Sequence, residues 1–261
     1  MTKPTNERSE PSLGARPAQL CCPIVELRQY TLYPGKRDIL IDLFDRAFIE
    51  SQEAVGIRVI GQFRDLDNPN RFVWLRGFRD MPSRAQALED FYGGPVWKAH
   101  SDAANATMID SDNVLLLRPA RPTSGFSLET GDRPPPGTTE VAKGLVVATI
   151  YYLATPAGAD LVDFFEDTVR PLLTGSGARI LGAFVTEESA NTFPALPVRA
   201  GEHVLVWFAR FRDQAAYNQH IAALARSQRW SGVVSEGLAS RLKGAPEVLK
   251  LAPTTRSQLH G

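Results

Sequence analysis

The chain has 261 residues, with 29 Lys and Arg balanced by 29 Asp and Glu, and 43% of its residues are hydrophobic. That is enough for one large domain or two ordinary ones with a proper core, and the balanced charge supplies no field that would draw nucleic acid or an anionic membrane. The longest apolar runs, 144–150 and 204–208, have the length of strands and fall far short of a bilayer span.

Residues 1–23 read as a disordered leader. Pro4, Pro11 and Pro17 stand among charges of both signs, no apolar core suits a signal peptide, and Glu7 and Glu10 argue against an organellar transit peptide. Cys21 and Cys22 are adjacent, cannot supply a disulfide framework or a full metal site, and read as unpaired structural thiols in a cytoplasmic protein.

The first strand is Val25-Glu26-Leu27-Arg28-Gln29-Tyr30, whose alternation puts Val25 and Leu27 on one face and Glu26, Arg28 and Tyr30 on the other. Pro34-Gly35 ends it, and Leu40, Leu43, Phe44, Ala47 and Phe48 recur at helical spacing in a helix expected over 36–55. Gly56 stops that helix. A hairpin of strands 57–63 and 71–78 turns at Asp67-Asn68-Pro69-Asn70, and helical segments 83–92, with Ser83 as candidate N-cap, and 96–108 precede a strand at 113–118. Strand, helix, strand, strand, helix, strand is the order of a ferredoxin-like unit, here over 24–120.

Residues 121–143, centred on Arg133-Pro134-Pro135-Pro136-Gly137, read as a linker. A second, divergent module over 144–253 restarts the order: strand 145–153, a helix capped by Thr155-Pro156 and running to 173, strands 178–186 and 203–211, helices 213–225 and 232–242, and strand 248–251. Residues 254–261 remain as a tail. Trp74, Phe78, Arg79, Asp80 and Trp97 recur 133 residues on as Trp207, Phe211, Arg212, Asp213 and Trp230. Tyr30 and Pro34 recur at 122 as Tyr152 and Pro156, and Gly61 and Phe63 at 121 as Gly182 and Phe184. The extra residues of the second half fall in 187–202, a disordered insertion or a lid.

The opening run 26–32 with Pro34-Gly35, then Gly61, Asn70, Leu75, Arg84 and Pro95-Val96-Trp97, resembles the NIPSNAP family of dimeric α+β barrel proteins over roughly 24–118. Over 145–252 the resemblance rests on Tyr152, Pro156, Gly182 and Trp230. The chain differs from the family's third-strand pattern, with Trp74 where His is common, Arg76 where Trp is common and Phe78 for Tyr. The resemblance implies an α+β fold in which two ferredoxin-like modules close a barrel within one chain, as a monomer or a homodimer. Related barrel families include cofactor-free oxygenases, cyclases, lyases and haem-handling enzymes, and fold alone does not choose among them.

If Val25 and Leu27 face the helices, Glu26, Arg28 and Tyr30 enter the barrel beside Trp74, Arg76 and Phe78, opposite an uncharged wall of Ala148, Ile150 and Tyr152. Such a pocket suits a small anionic or aromatic molecule. Arg28, Trp74, Arg76 and Phe78 would bind it, and Tyr30, Glu26 or His100 would move a proton. The same Glu and Arg residues also make sense as a closed salt-bridge network. Trp97 and Trp230 read as packing anchors.

His203 and His220 lack partners at ligand spacing, so no metal is expected. Gly93-Gly94 sits in no phosphate-binding frame and no Gly-x-Ser-x-Gly elbow occurs, so no cofactor and no ordinary hydrolase chemistry are expected. Two functions fit. One is a cofactor-independent enzyme of isomerase, cyclase, lyase or oxygenase type; the other is a non-catalytic interaction or scaffold protein on the same barrel.

Overall fold

The computed structural model describes residues 20–128, 133–138, 140 and 143–260, so most of the expected leader lies outside the described residues. Strand β1 (Ile24–Leu32) turns at Gly35, whose φ of +75° favours glycine, into α1 (Arg37–Leu43), a π-helical turn (Phe44–Phe48) and α2 (Ile49–Glu53). β2 (Arg58–Asp65) and β3 (Arg71–Phe78) form the hairpin, and the Asp65 carboxylate accepts from the backbone of Asp67 and Asn68 to set its turn. α3 (Met81–Gly93) begins two residues before Ser83, with Asp80 in place of Ser83 as N-cap, because Asp80 and Ser83 exchange capping-box hydrogen bonds. α4 (Pro95–Asn105) and β4 (Met108–Pro119) complete the first half.

The second half runs β5 (Leu145–Leu153), α5 (Ala159–Phe164), a π-helical turn (Phe165–Val169), α6 (Arg170–Gly175), β6 (Arg179–Thr186), β7 (His203–Phe211), α7 (Gln214–Ala225), a third π-helical turn (Trp230–Val234), α8 (Ser235–Ala239) and β8 (Glu247–Pro253). Its first helix starts after Gly158, not at Thr155-Pro156. The eight strands close into one antiparallel barrel in the order β1-β3-β2-β8-β5-β7-β6-β4. The two halves meet at short seams, Phe63↔Pro253 to Asp65↔Leu251 on one side and Leu117↔Thr186 to Pro119↔Phe184 on the other.

The lumen is a filled apolar core. Val25, Leu27, Phe63, Val73, Leu75 and Leu117 pack with Val146, Ala148, Ile150, Val206, Phe208 and Leu251 in one cluster, every one of them without exposure. Two further clusters lie between the sheet and the helices of each half. The expected orientation of β1 is therefore reversed: Val25 and Leu27 face the lumen, while Tyr30, Trp74 and Phe78 belong to the helix-side cluster. Alternation could not show this, because a strand buried on both faces carries no solvent-facing row to mark its outside.

One offset is corrected with it. β1 and β5 are nine residues each and start 121 residues apart, as do the π-helical turns at Phe44 and Phe165 and the strand irregularities at Gly61 and Gly182. Tyr30 thus corresponds to Tyr151, on the helix side, and not to Tyr152, which packs against the lumen. A shift of one residue exchanges the two faces of a strand.

Described residues of the expected linker and tail pack against the barrel. Phe126 is buried with its ring 4.6 Å from Phe184 and 5.1 Å from Phe208, and Arg133 donates to Glu53 at 2.6 Å. Beyond β8, Thr254 N donates to Gln62 O at 2.9 Å, Leu259 joins the lumen cluster, and Arg256 pairs with Glu50. Cys21 and Cys22 are joined through their sulfurs instead of standing as free thiols. Among the described residues no helix is long and apolar enough to cross a membrane, and no group of His, Cys, Asp and Glu could hold a metal ion.

A chain truncated after Pro122 leaves its lumen face uncovered and should self-associate or unfold in sedimentation; a soluble monomeric half would contradict the intrachain barrel. Burial pushes the Asp45 carboxyl up to about 6, and its Oδ1 has no hydrogen-bond partner. A folded-state carboxyl raised above its unfolded value near 4 holds a proton the unfolded chain releases, so stability falls as pH rises from about 4 to 6. Asp45→Asn should raise Tm at pH 7, and that gain should vanish toward pH 4 in thermal melts.

Candidate active site

On the helix side of the first half, the barrel twist sets Glu26 opposite Arg76, Arg28 opposite Trp74, and Tyr30 opposite Phe72. Glu26 has no exposed surface, and its carboxylate is the hub. Oε2 accepts from Arg28 Nη1 at 2.6 Å and from Arg76 Nε at 2.7 Å, while Oε1 accepts from Arg84 Nε at 2.7 Å. Arg28 Nε donates to Tyr30 Oη at 3.0 Å. Arg76 Nη1 lies 3.4 Å from both Gln52 Oε1 and Tyr92 Oη. Its guanidinium also stands 5.2 Å from the Trp74 ring and 5.6 Å from Phe78, which compensates part of its lost hydration.

One carboxylate therefore faces three guanidinium groups, an excess of two positive charges with at most 1% exposure at any of the four side chains. Burial alone would raise the Glu26 pKa, but Arg76, Arg28 and Arg84 together hold it far below the usual carboxylate range. Burial lowers the pKa of Arg84; Glu26 opposes that, and Arg76 and Arg28 add to it. Arg76 Nη2, Arg84 Nη2 and Trp74 Nε1 are buried without a hydrogen-bond partner. Burial raises the pKa of Tyr30, with Arg28 opposing, so the phenol keeps its proton. Tyr30 Oη accepts from Arg28, and no acceptor for its proton lies within hydrogen-bond distance among the described residues.

Beside this cluster is a small, partly open chamber of about 30 Å³, lined by Tyr30, Phe44, Phe48, Gln52, Trp74, Tyr92 and Trp97 among others. The π-helical turn widens the first helix by one residue and brings both Phe44 and Phe48 to the chamber wall, 4.8 Å from Trp74 and 5.5 Å from Trp97. Tyr30, Gln52 and Tyr92 form its polar edge, with Arg28 and Arg76 directly behind them.

A strap from the other half covers the cluster. Residues 187–202 connect β6 to β7, and Arg84 Nη1 donates to Asn191 Oδ1 at 3.0 Å and to Thr192 Oγ1 at 3.1 Å. Phe193 stacks on Tyr92 at 5.9 Å and 23°. Arg199 anchors the far end, donating to Tyr152 Oη at 2.9 Å, which in turn donates to Glu247 at 2.7 Å.

Six of the residues expected from sequence thus gather on one side of the sheet: Glu26, Arg28, Tyr30, Trp74, Arg76 and Phe78. Their place is under the helices and not in the lumen. His100 is set apart: its ring is 6.2 Å from Phe48, and it does not line the chamber. Trp97 is part of the chamber wall. Arg84, Gln52, Tyr92 and the strap residues were missed as site residues. Arg84 carried a signal, since it shares the buried stripe of α3 with Ala87, Leu88 and Phe91, where a charge demands a partner. The equivalent positions of the second half are Val147, Thr149, Tyr151, Trp207, Ala209 and Phe211, which carry no charge.

Residues 25–122 match the NIPSNAP family model. The NIPSNAP segment thus spans β1 through β4 and holds the whole Glu26 cluster, while the strap lies outside it. The full barrel is similar to a candidate monooxygenase from Lactobacillus acidophilus NCFM, at 15% identity and a TM-score of 0.52 over 89% of this chain and 94% of that one. It is also similar to an anthrone oxidase-like protein, at 12% identity and a TM-score of 0.54 over 91% and 95%. A candidate monooxygenase from Fusobacterium nucleatum subsp. nucleatum aligns at 8% identity and 0.51, over 89% and 93%. These likenesses establish a shared α+β barrel fold. No curated protein matches the chain significantly.

The charge excess makes the arginines and Glu26 respond differently to removal. Glu26→Gln leaves three buried guanidinium groups without a counter-charge and should cost about 3–5 kcal/mol. Arg84→Met leaves Glu26 with two partners and relieves repulsion, so its cost should be clearly smaller in chemical denaturation. Because the folded Glu26 pKa lies below its unfolded value, the carboxylate's contribution is complete above that unfolded value and shrinks as pH falls below about 4. The stability gap between wild type and Glu26→Gln should narrow over that acid range.

Proposed function

We propose that the chain is a small-molecule-binding NIPSNAP-like barrel enzyme that performs acid-base chemistry on a small anionic or aromatic substrate without a tightly bound cofactor. Its plan is read as two ferredoxin-like modules in tandem, 24–120 and 144–253, of which the first keeps the site. The observation that carries this reading is the Tyr30 hydroxyl, backed by Arg28 and set at the polar edge of an aromatic chamber beside two uncompensated positive charges.

In that setting the Tyr30 phenol donates a hydrogen bond to a substrate oxygen as it gains negative charge, and Arg28 and Arg76 stabilise the resulting enolate or phenolate in a water-poor site. Glu26 is held ionised by three arginines and is a poor base; its role is to fix the guanidinium forks in place. Phe44, Phe48, Trp74 and Trp97 supply flat apolar faces for a planar substrate. Among isomerisation, cyclisation, lysis and oxygenation, the names of the fold neighbours make oxygenation the first reaction to assay. The chamber has room for about one water molecule, so a substrate enters with side-chain movement.

The test begins with a thermal-shift screen of aromatic and keto acids, followed by turnover of the ligands found. Tyr30→Phe should retain the fold and lower turnover by about 10²- to 10⁴-fold, the range typical of a lost proton-transfer group. Unchanged turnover in that variant would overturn the assignment of Tyr30.

A second reading, as an interaction protein, draws on the filled lumen and on an open groove between α7 and β8 where Ile221 and Val248 are 44% and 38% exposed. Failure of every small molecule to bind, with Ile221→Asp abolishing capture of a partner, would favour it.

A further inference from the structure

The strap from the second half meets the charge cluster at one atom group, the Nη1 side of Arg84. There two neutral oxygens, Asn191 Oδ1 and Thr192 Oγ1, accept from a guanidinium whose Nη2 is buried and unpartnered and whose surroundings already hold two more arginines. Neutral acceptors are weak partners for such a group, since hydrogen bonds to an ionised acceptor are about twice as strong. Between the strap and β4 lies a second cavity of about 160 Å³, lined by Leu115, Leu116 and strap residues that include Asn191, Arg199 and the carboxylates of Glu187, Glu188 and Glu202. Asn191 both lines this cavity and accepts from Arg84, so the cavity reaches the cluster at its Arg84 end through that side chain, while the aromatic chamber adjoins the Arg76 end through Gln52 and Tyr92. The strap is self-supporting at this point, because Asn191 Oδ1 also accepts from Phe193 N at 3.1 Å and its Nδ2 donates to Leu196 O at 2.9 Å.

We propose that Arg84 is the recognition group for a carboxylate ligand that enters beneath the strap, and that Thr192 and Asn191 hold the position its oxygens take. A planar carboxylate reaches Nη1 and the free Nη2 together, the two-pronged geometry that guanidinium favours. The ligand class is a monocarboxylate on a flat apolar body: the carboxylate offsets one of the two excess charges, and the body follows the path of Phe193 and Tyr92 toward the chamber. Thr192 and Asn191 are thereby specificity-determining residues contributed by the half that lacks a charge cluster of its own. This deepens the proposed function and rests on its choice of site, but it concerns binding and not proton transfer.

The experiment measures benzoate and its neutral analogue benzamide by calorimetric titration of the full-length protein. Benzoate should bind and benzamide should bind at least tenfold more weakly. Thr192→Asp leaves Arg84 and the Asn191 turn intact and places a fixed carboxylate at Arg84; it should weaken benzoate binding by about ten- to hundredfold, the value of a charge-assisted contact. Thr192→Val removes a competing acceptor and should tighten benzoate severalfold, and Arg84→Gln should lose the preference for benzoate over benzamide. Benzoate affinity unchanged in Thr192→Asp, equal affinity for the two probes, or no benzoate binding at millimolar concentration would each overturn the proposal. Tyr30→Phe separates the two ideas: loss of turnover with benzoate binding intact supports both, and loss of the Thr192 effects alone sinks only the strap.

Discussion

The first half of the molecule is organised around a single buried carboxylate. Glu26 ties β1 to β3 through Arg76 and to α3 through Arg84, so one side chain sets both the register of the strands beside it and the distance between sheet and helix. Burying four charged groups is unfavourable unless each finds partners, and the arrangement satisfies the carboxylate completely while leaving guanidinium hydrogens over. The surplus is the feature on which the proposed binding role rests. The cluster is positive by two and borders an aromatic chamber on one side and a strap-lined cavity on the other.

The second half shows what the same plan looks like without that surplus. Its helix-side row is Val147, Thr149 and Tyr151, and the position equivalent to Arg76 is Ala209. The π-helical turn is kept at the same offset, with Phe165 where the first half has Phe44. The widened helix is therefore a property of the packing geometry common to both halves, whereas the arginines belong to one. The half without a charge cluster provides the 187–202 connection that covers the cluster of the other half.

Much of this was legible in the sequence, for reasons that can be stated residue by residue. Gly56, the Asp67 to Asn70 turn and the Gly93-Gly94-Pro95 break set the element boundaries through backbone chemistry that tertiary context rarely overrides. The charged row on β1 and its neighbour on β3 were visible because charges inside a strand-length apolar segment are unusual. Their side of the sheet was not visible. Val25 and Leu27 are as buried as Glu26, so the pattern held two equal readings, and the Tyr151-Tyr152 pair allowed an alignment one residue out that supported the wrong one. The strap contacts were out of reach for a different reason: Arg84 and Asn191 are 107 residues apart, and no local periodicity links them. By composition residues 121–143 and 254–261 read only as a linker and a tail, yet Phe126 and Leu259 belong to the lumen cluster.

A barrel assembled from two identical single modules would carry two chambers, and each would sit under its partner's connection. Here both halves are encoded in one chain and differ: one carries the charged row on its helix side and the other provides the connection that lies over it. If the proposed site binds its ligand, the stoichiometry is one per polypeptide, and saturation should follow a simple hyperbola with no communication between like sites. The two halves divide the structure unequally: one supplies the charge and the other lies over it.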